Sequence, residues 1–312
     1  MSRDEVDRWM QQGKILLEEG RYEEGLLLFE QVIAYNPLNI DAYNEKGKAL
    51  DHLKRYEEAI EVANKTIELA PDCAKFYCNK ALWLFKLRRN AEALTTFEAA
   101  IQLDSSLGWV YHYIGHLLLH FHREEEALTA YNRAIVLDPY SAEIQNGYGN
   151  ALRLSGRFEE ALCAYDQAIQ IDPNYIHSYS GRCFILYKLG RYQEALITSD
   201  QAIVLDPHLA QFHNGRGDIL LKLGRLEEAL KAYNQAIQVE PDFIYSYNGK
   251  GLVLQNLGRY QEALEAYEQA IVLDPKFPPV WRNKGEVLFK LGRSAESSKS
   301  YVQAEKLRLQ SQ

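Results

Sequence analysis

The sequence predicts an all-α protein, a solenoid of nine helical hairpins in series, and three observations predict it. Proline recurs as Pro37, Pro71, Pro139, Pro173, Pro207, Pro241 and Pro275, separated by 34 residues or twice that, with Ser105 in the one gap. Leucine recurs on the same period, from Leu16 to Leu288. Three residues before each leucine stands a small residue: Gly13, Gly47, Ala81, Gly115, Gly149, Cys183, Gly217, Gly251 and Gly285. A fixed period of this length marks a chain in which each short repeat buries its apolar face against the next, with no single central core.

With the proline as position 32, the repeats begin at Val6, Ile40, Ala74, Gly108, Ala142, Ile176, Ala210, Ile244 and Pro278. They run 6–39, 40–73, 74–107, 108–141, 142–175, 176–209, 210–243, 244–277 and 278–311, a single array without a linker. Each opens on a helix, A. Its position 4 is mostly aromatic (Tyr43, Tyr77, Tyr111, Tyr179, Tyr247), its position 8 small and its position 11 leucine. These fall at i, i+4 and i+7, the buried stripe expected of an amphipathic helix. Leu-Gly-Arg at 189–191, 223–225, 257–259 and 291–293 puts glycine where helix A has to end in the left-handed conformation.

A second helix, B, follows. Glutamate holds position 19 in all nine repeats, Glu24 to Glu296, in the first turn of helix B, where the positive end of the helix dipole favours a carboxylate. Arginine holds position 16, Arg21 to Arg293, and a residue present nine times is expected to serve the architecture. Position 24 is mostly a ring, as in Phe97, Tyr131, Tyr165, Tyr233 and Tyr267. Asp-Pro at 138–139, 172–173, 206–207 and 274–275 reads as a turn with proline near the start of the next helix. In the last repeat Ser297 and Ser298 replace Ala-Leu or Ala-Ile, and Glu305 replaces isoleucine, as expected of a capping surface that meets water.

This arrangement resembles the tetratricopeptide repeat (TPR) family, whose repeat carries aromatic, leucine, glycine, tyrosine, alanine, aromatic, alanine and proline at set positions. The resemblance covers residues 6 to 311 in nine registers without an insertion, as in a bacterial-type array. It implies an α-solenoid wound as a right-handed superhelix, with the A helices lining a concave groove. It also implies the role of a scaffold or adaptor that holds a peptide or protein segment in that groove.

Composition narrows the alternatives. A net charge of -8 and a pI near 5.6 oppose general nucleic-acid binding, which needs a concentrated basic face. No stretch approaches the roughly 18 uninterrupted apolar residues of a membrane span, so membrane insertion is not expected. The N-terminus, with Arg3, Asp4, Glu5, Asp7 and Arg8, has no signal-peptide core. Cys73, Cys78, Cys163 and Cys183 show no CxxC spacing, which favours reduced thiols and a cytoplasmic location. The chain has no glycine-rich phosphate loop, HExxH or nucleophile elbow, so no catalytic residue and no cofactor are expected.

If positions 4, 8 and 11 are buried, positions 2, 5, 6, 9, 12 and 13 of helix A are left to line the groove. Over this stripe eight acids meet nine bases, near neutrality on an acidic chain. Its aromatic residues, Phe85, Trp109, Tyr113, Phe184, Tyr187, Tyr245 and Phe289, are candidate anchors, with Trp109 and Tyr113 foremost. Position 6 is glycine in four consecutive repeats (Gly147, Gly181, Gly215, Gly249), preceded by Asn146, Ser180, Asn214 and Asn248. Mid-helix glycine costs about 1 kcal/mol relative to alanine, so the row reads as crowding, as a floor for a partner's backbone, or as a residue carried along by duplication. The asparagines can bond an extended backbone. They are similar to the asparagine ladder in the repeat domain of O-GlcNAc transferases, where asparagine takes position 6; only Asn79 and Asn283 do so here. With His112, His116, Asn150 and Arg153, these groups make up the expected partner-binding surface.

His112, His116 and His120 offer a metal-binding alternative. Histidines at i and i+4 can share an ion, but the outer two lie about 12 Å apart along a helix. A further ligand would come from Cys78, Asn79, Glu143, Asn146 or Asn150, and no metal ligand is assigned. Association of copies into a self-assembling scaffold, through the groove or the ends, stays open.

Overall fold

The computed structural model describes residues 3–310, and among them every regular element is a helix. Two compact bodies divide the chain, Met1–Arg157 and Phe158–Gln312. The N-terminal body holds α1 (Arg3–Glu18), α2 (Tyr22–Tyr35), α3 (Ile40–His52), α4 (Tyr56–Leu69), α5 (Ala74–Lys86), α6 (Asn90–Leu103), α7 (Gly108–His120), α8 (Glu124–Leu137) and α9 (Ala142–Leu154). The C-terminal body holds α10 (Phe158–Ile171), α11 (Ile176–Lys188), α12 (Tyr192–Leu205), α13 (Ala210–Lys222), α14 (Leu226–Val239), α15 (Ile244–Asn256), α16 (Tyr260–Leu273), α17 (Pro278–Lys290) and α18 (Ser294–Gln310). From the second repeat on, every helix A begins at the expected position 1. Residue 311, the expected end of the ninth repeat, lies outside the described residues.

Helix A ends as its glycine requires. In α13 the Gly224 N–H bonds the Leu221 carbonyl and the Arg225 N–H bonds the Leu220 carbonyl, the paired bonds of a Schellman ending, with φ of 72° at Gly224. The recurrent leucine therefore serves twice, its side chain in the core and its carbonyl in the cap. Lys54, Arg88 and His122 occupy the same place with φ of 59°, 61° and 55°. A side chain there costs about 1–2 kcal/mol, against the roughly 0.5–1 kcal/mol that glycine loses in unfolded-chain entropy. Replacing all three by glycine is expected to raise the urea midpoint of the chain, and an unchanged or lower midpoint would show that these side chains repay their strain.

At the start of helix B the dipole is only part of the account. Arg225 at the N-cap clamps Glu228 through two bonds of 2.7 Å, and Arg21–Glu24, Arg55–Glu58, Arg89–Glu92, Arg191–Glu194, Arg259–Glu262 and Arg293–Glu296 do the same. Helix B ends differently from the sequence reading. Proline does not start the next helix; it follows the C-cap, as Pro207 follows Asp206, where it stops helix B. The aspartate turns the chain by accepting from the backbone two residues on, as Asp206 does from the His208 N–H at 2.9 Å. Pro278, at the first position of α17, is the exception.

Packing buries more of helix A than the stripe of 4, 8 and 11. Positions 3 and 10, such as Val110 and Leu117, Phe212 and Ile219, or Val280 and Val287, are buried as well. Position 4 stands at the edge of the core and works through its tip. Tyr179 Oη donates to the Pro173 carbonyl and Trp281 Nε1 to that of Pro275, while His213 Nε2 bonds that of Pro207, each at 2.9 Å. Three different side chains thus tie helix A to the turn before it. Ion pairs between position 7 and the preceding helix B recur as Lys46–Glu30, Arg182–Asp166, Arg216–Asp200 and Lys284–Glu268, each partly exposed and so of small individual worth. In the last repeat Ser298 and Glu305 are exposed as expected. Ser297 is not: it is buried, and its hydroxyl donates to the Gly285 carbonyl at 2.8 Å.

Candidate functional site

In the N-terminal body the expected anchors form one aromatic cluster. Tyr113 stacks on the buried Phe97 with ring centres 5.5 Å apart, and meets Phe85 at 5.4 Å and Trp109 at 6.0 Å edge to face. His116 meets Phe85 at 5.5 Å, and His112 lies between Tyr113 at 5.6 Å and Tyr131 at 5.8 Å. Edge-to-face packing of this kind fixes the rings and leaves Trp109 and His116 open to solvent. His112 Nε2 is 3.4 Å from the Glu143 carboxylate, while its Nδ1 is buried without a partner. Burial pushes the pKa of His112 down, which favours its neutral ring. His112 and His116 enter this cluster and His120 contacts Phe121. Among the described residues no group of three or more His, Cys, Asp or Glu is placed to hold a metal ion. Asn79 is half-buried on α5, and on α9 Asn150 and Arg153 are half-buried while Asn146 is buried. Asn146 therefore does not present its amide on an open floor.

In the C-terminal body the expected residues divide. Phe184 and Tyr187 line a solvent-open cavity of about 380 Å³ among α11, α12 and α13, with Ser180, Cys183, Lys188, Ser199, Gln211, Phe212, Gly215, Asp218 and Ile219. Lys188 Nζ lies 5.6 Å from the Phe184 ring centre. Asp218 accepts from Tyr233 Oη at 2.6 Å and from Asn214 Nδ2 at 3.2 Å. Burial pushes its pKa up, with the Tyr233 hydroxyl and Lys222 opposing. Asn214 also accepts from Ser246 Oγ at 3.1 Å, and Asn248 accepts from Asn283 Nδ2 at 2.9 Å. These two asparagines cross-link successive A helices and spend part of their capacity inside the array. Tyr245 is exposed and meets Phe243 at 5.4 Å and Phe277 at 5.6 Å.

The row of glycines has a packing cause in three of its four members. A Cβ on Gly147 would stand 2.5 Å from the Tyr131 ring, one on Gly181 2.4 Å from Tyr165, and one on Gly249 2.3 Å from Tyr233. A Cβ on Gly215 would meet nothing within 4 Å beyond its own helix backbone.

Tetratricopeptide repeat models match residues 10–74, 74–107, 173–209 and 244–277, and a further TPR repeat model matches 149–190 and 217–258. The chain belongs to the tetratricopeptide repeat family. No curated protein matches this TPR chain. Similar solved structures include YrrB, described as a TPR protein with an unusual peptide-binding site, at 23% identity over 59% of this chain and 95% of that one, with a TM-score of 0.50. Another is the APC/C hetero-tetramer Cut9–Hcn1, at 15% identity over 92% of this chain and 57% of that one, with a TM-score of 0.60. At these identities the likeness shows the fold alone.

Within the TPR array, sequence reasoning missed Cys183, Ser199 and Asp218 as cavity walls. The signal for Ser199 was available: it stands at position 24, where most repeats carry a ring.

Proposed function

We propose that this TPR array is a non-catalytic scaffold that binds an extended segment of a partner protein along its A helices. One observation carries the reading: large aromatic side chains stay open to solvent at the helix-A positions that vary between repeats, with Trp109 41%, Phe184 44% and Tyr245 54% exposed. Buried packing positions repeat down the chain, whereas these do not, as a scaffold displaying different groups on one architecture requires. YrrB, a TPR protein described as having a peptide-binding site, supports the same use of the fold. A near-neutral stripe on a chain of net charge -8 suits a segment of mixed or low charge. No helix among the described residues is long and apolar enough to cross a membrane. All four cysteines are unpaired, which supports a reducing, cytoplasmic setting.

Selection of a random peptide library on the full chain tests this. Enriched peptides are expected, and Trp109→Ala or Tyr113→Ala is expected to weaken those seated on the N-terminal body at least tenfold, the loss typical of an anchor worth more than about 1.4 kcal/mol. If no peptide is enriched, or if neither variant nor Phe184→Ala weakens any of them, the reading is wrong.

A further inference from the structure

Position 24 of helix B carries an aromatic ring in seven of the nine repeats, and the exceptions are Ala63 and Ser199. The two gaps are treated differently. Beside Ala63 the indole of Trp83, buried and sent from the following helix A, reaches within 2.8 Å of where a Cβ on Gly47 would stand. The residue at the same repeat position beside Ser199 is Ile219, which lines the cavity without filling it. Gly215 keeps the glycine that a ring needs beneath it, as Gly181 does under Tyr165 and Gly249 under Tyr233, yet no ring is there. Ser199 turns its hydroxyl away to the Phe212 carbonyl at 3.2 Å.

What remains is a ring-shaped vacancy, open to solvent on the face proposed above to hold the partner. Roughly 150 Å³ is enough to admit benzene, and this cavity has about 380 Å³. Its walls are mostly apolar, with Cys183, Phe212, Gly215 and Ile219, and with Phe184 and Tyr187 beside them. Two charged groups line it, Lys188, whose ammonium lies 5.6 Å from the Phe184 ring centre, and Asp218. Asp218 is an acceptor when ionised, and a carboxylate has more lone-pair sites than its two internal donors, Tyr233 and Asn214, occupy.

We propose that this cavity is a specificity pocket that receives one aromatic side chain of the bound segment, a tyrosine or tryptophan, whose O–H or N–H is drawn to Asp218. The proposal rests on the groove reading. The partner's ring takes the volume that the array's own tyrosine takes in neighbouring repeats. Phenylalanine fits the walls but leaves the carboxylate without a third donor.

The test uses the full chain with isoleucine methyl groups labelled for NMR, and p-cresol and toluene as probes. p-Cresol is expected to move the Ile219 methyl saturably while Ile144, in the other body, stays still, and toluene to bind several-fold more weakly. Ser199→Tyr, which returns the missing ring, is expected to abolish the shift and leave the remaining isoleucine signals in place. Gly215→Leu, which fills the space from α13, serves where Ser199→Tyr does not fold. An unmoved Ile219, saturable binding that survives both variants, or equal binding of toluene would overturn the proposal. Library-selected peptides that bind wild type and Ser199→Tyr equally would also overturn the pocket while leaving the groove reading intact. Binding of p-cresol with no peptide ever enriched would do the reverse.

Discussion

Replacing Tyr233 by alanine is expected to cost the chain about 3–5 kcal/mol, the range for deleting a fully buried ring. The ring is 0% exposed, and its edge lies where Cβ atoms on Gly217 and Gly249 would stand, at 2.7 and 2.3 Å. Neighbouring backbone cannot collapse into the hole without pulling α13 and α15 together. Tyr233→Phe separates the ring from its hydroxyl and is expected to cost about 1–3 kcal/mol at neutral pH, because Asp218 loses its 2.6 Å donor in a buried setting. The sign of the pH dependence follows from Asp218. Burial raises its folded pKa above the unfolded value, so the folded state holds the proton more tightly and stability falls as pH rises between the two. The Tyr233 hydroxyl opposes that rise, and removing it widens the interval. The deficit of Tyr233→Phe should therefore be present at neutral pH and shrink as Asp218 protonates. Urea melts at a series of pH values read this directly, and a deficit constant with pH would show that the hydroxyl bond is not coupled to the carboxylate.

The helices and their caps were legible because a strict period fixes where each helix begins, and because chemistry confined to one turn does the rest: a glycine at positive φ, an arginine three residues before a glutamate. What escaped needed knowledge of which repeat touches which. The helix-A stripe shows that positions 4, 8 and 11 share a face, but not that position 4 reaches the proline carbonyl six residues earlier, as Tyr179 does to Pro173. Ser297 read as a polar cap because serine usually meets water; its neighbour's Gly285 carbonyl gives it an internal partner instead. Asn214 and Asn248 read as groove donors, and the bonds they accept, from Ser246 and from Asn283, bridge successive A helices. Trp109, Tyr113 and Phe85 were recognisable singly, though their merger with the buried Phe97 was not. Ala63 and Ser199 look alike in the alignment of repeats. Only the reach of Trp83 from a different helix separates a filled gap from an open one.

That difference yields a prediction of opposite signs at two identical residues. Gly249→Ala and Gly215→Ala are the same change at the same repeat position, and each gains the roughly 1 kcal/mol of helix propensity that alanine has over glycine. At Gly215 nothing opposes the gain, since no atom beyond its own helix backbone lies within 4 Å of the new methyl group, and the variant is expected to be more stable by up to that amount. At Gly249 the methyl group would stand 2.3 Å from Cε1 and 2.4 Å from Cζ of Tyr233. The ring is confined, because Gly217 abuts the same edge from α13 and Asp218 holds its hydroxyl, so the overpacking cost of about 1–3 kcal/mol falls on helix spacing and outweighs the propensity gain. Asn283 carries a side chain at this position in the last repeat, where Tyr267 bonds Gln255 and the Asn283 amide spans to Asn248. Urea midpoints of the two alanine variants decide the matter. A rise for Gly215→Ala and a fall for Gly249→Ala would place the cause in the tyrosine rings, whereas equal shifts would mean that the row of glycines owes nothing to them and that the vacancy beside Ser199 is not ring-shaped.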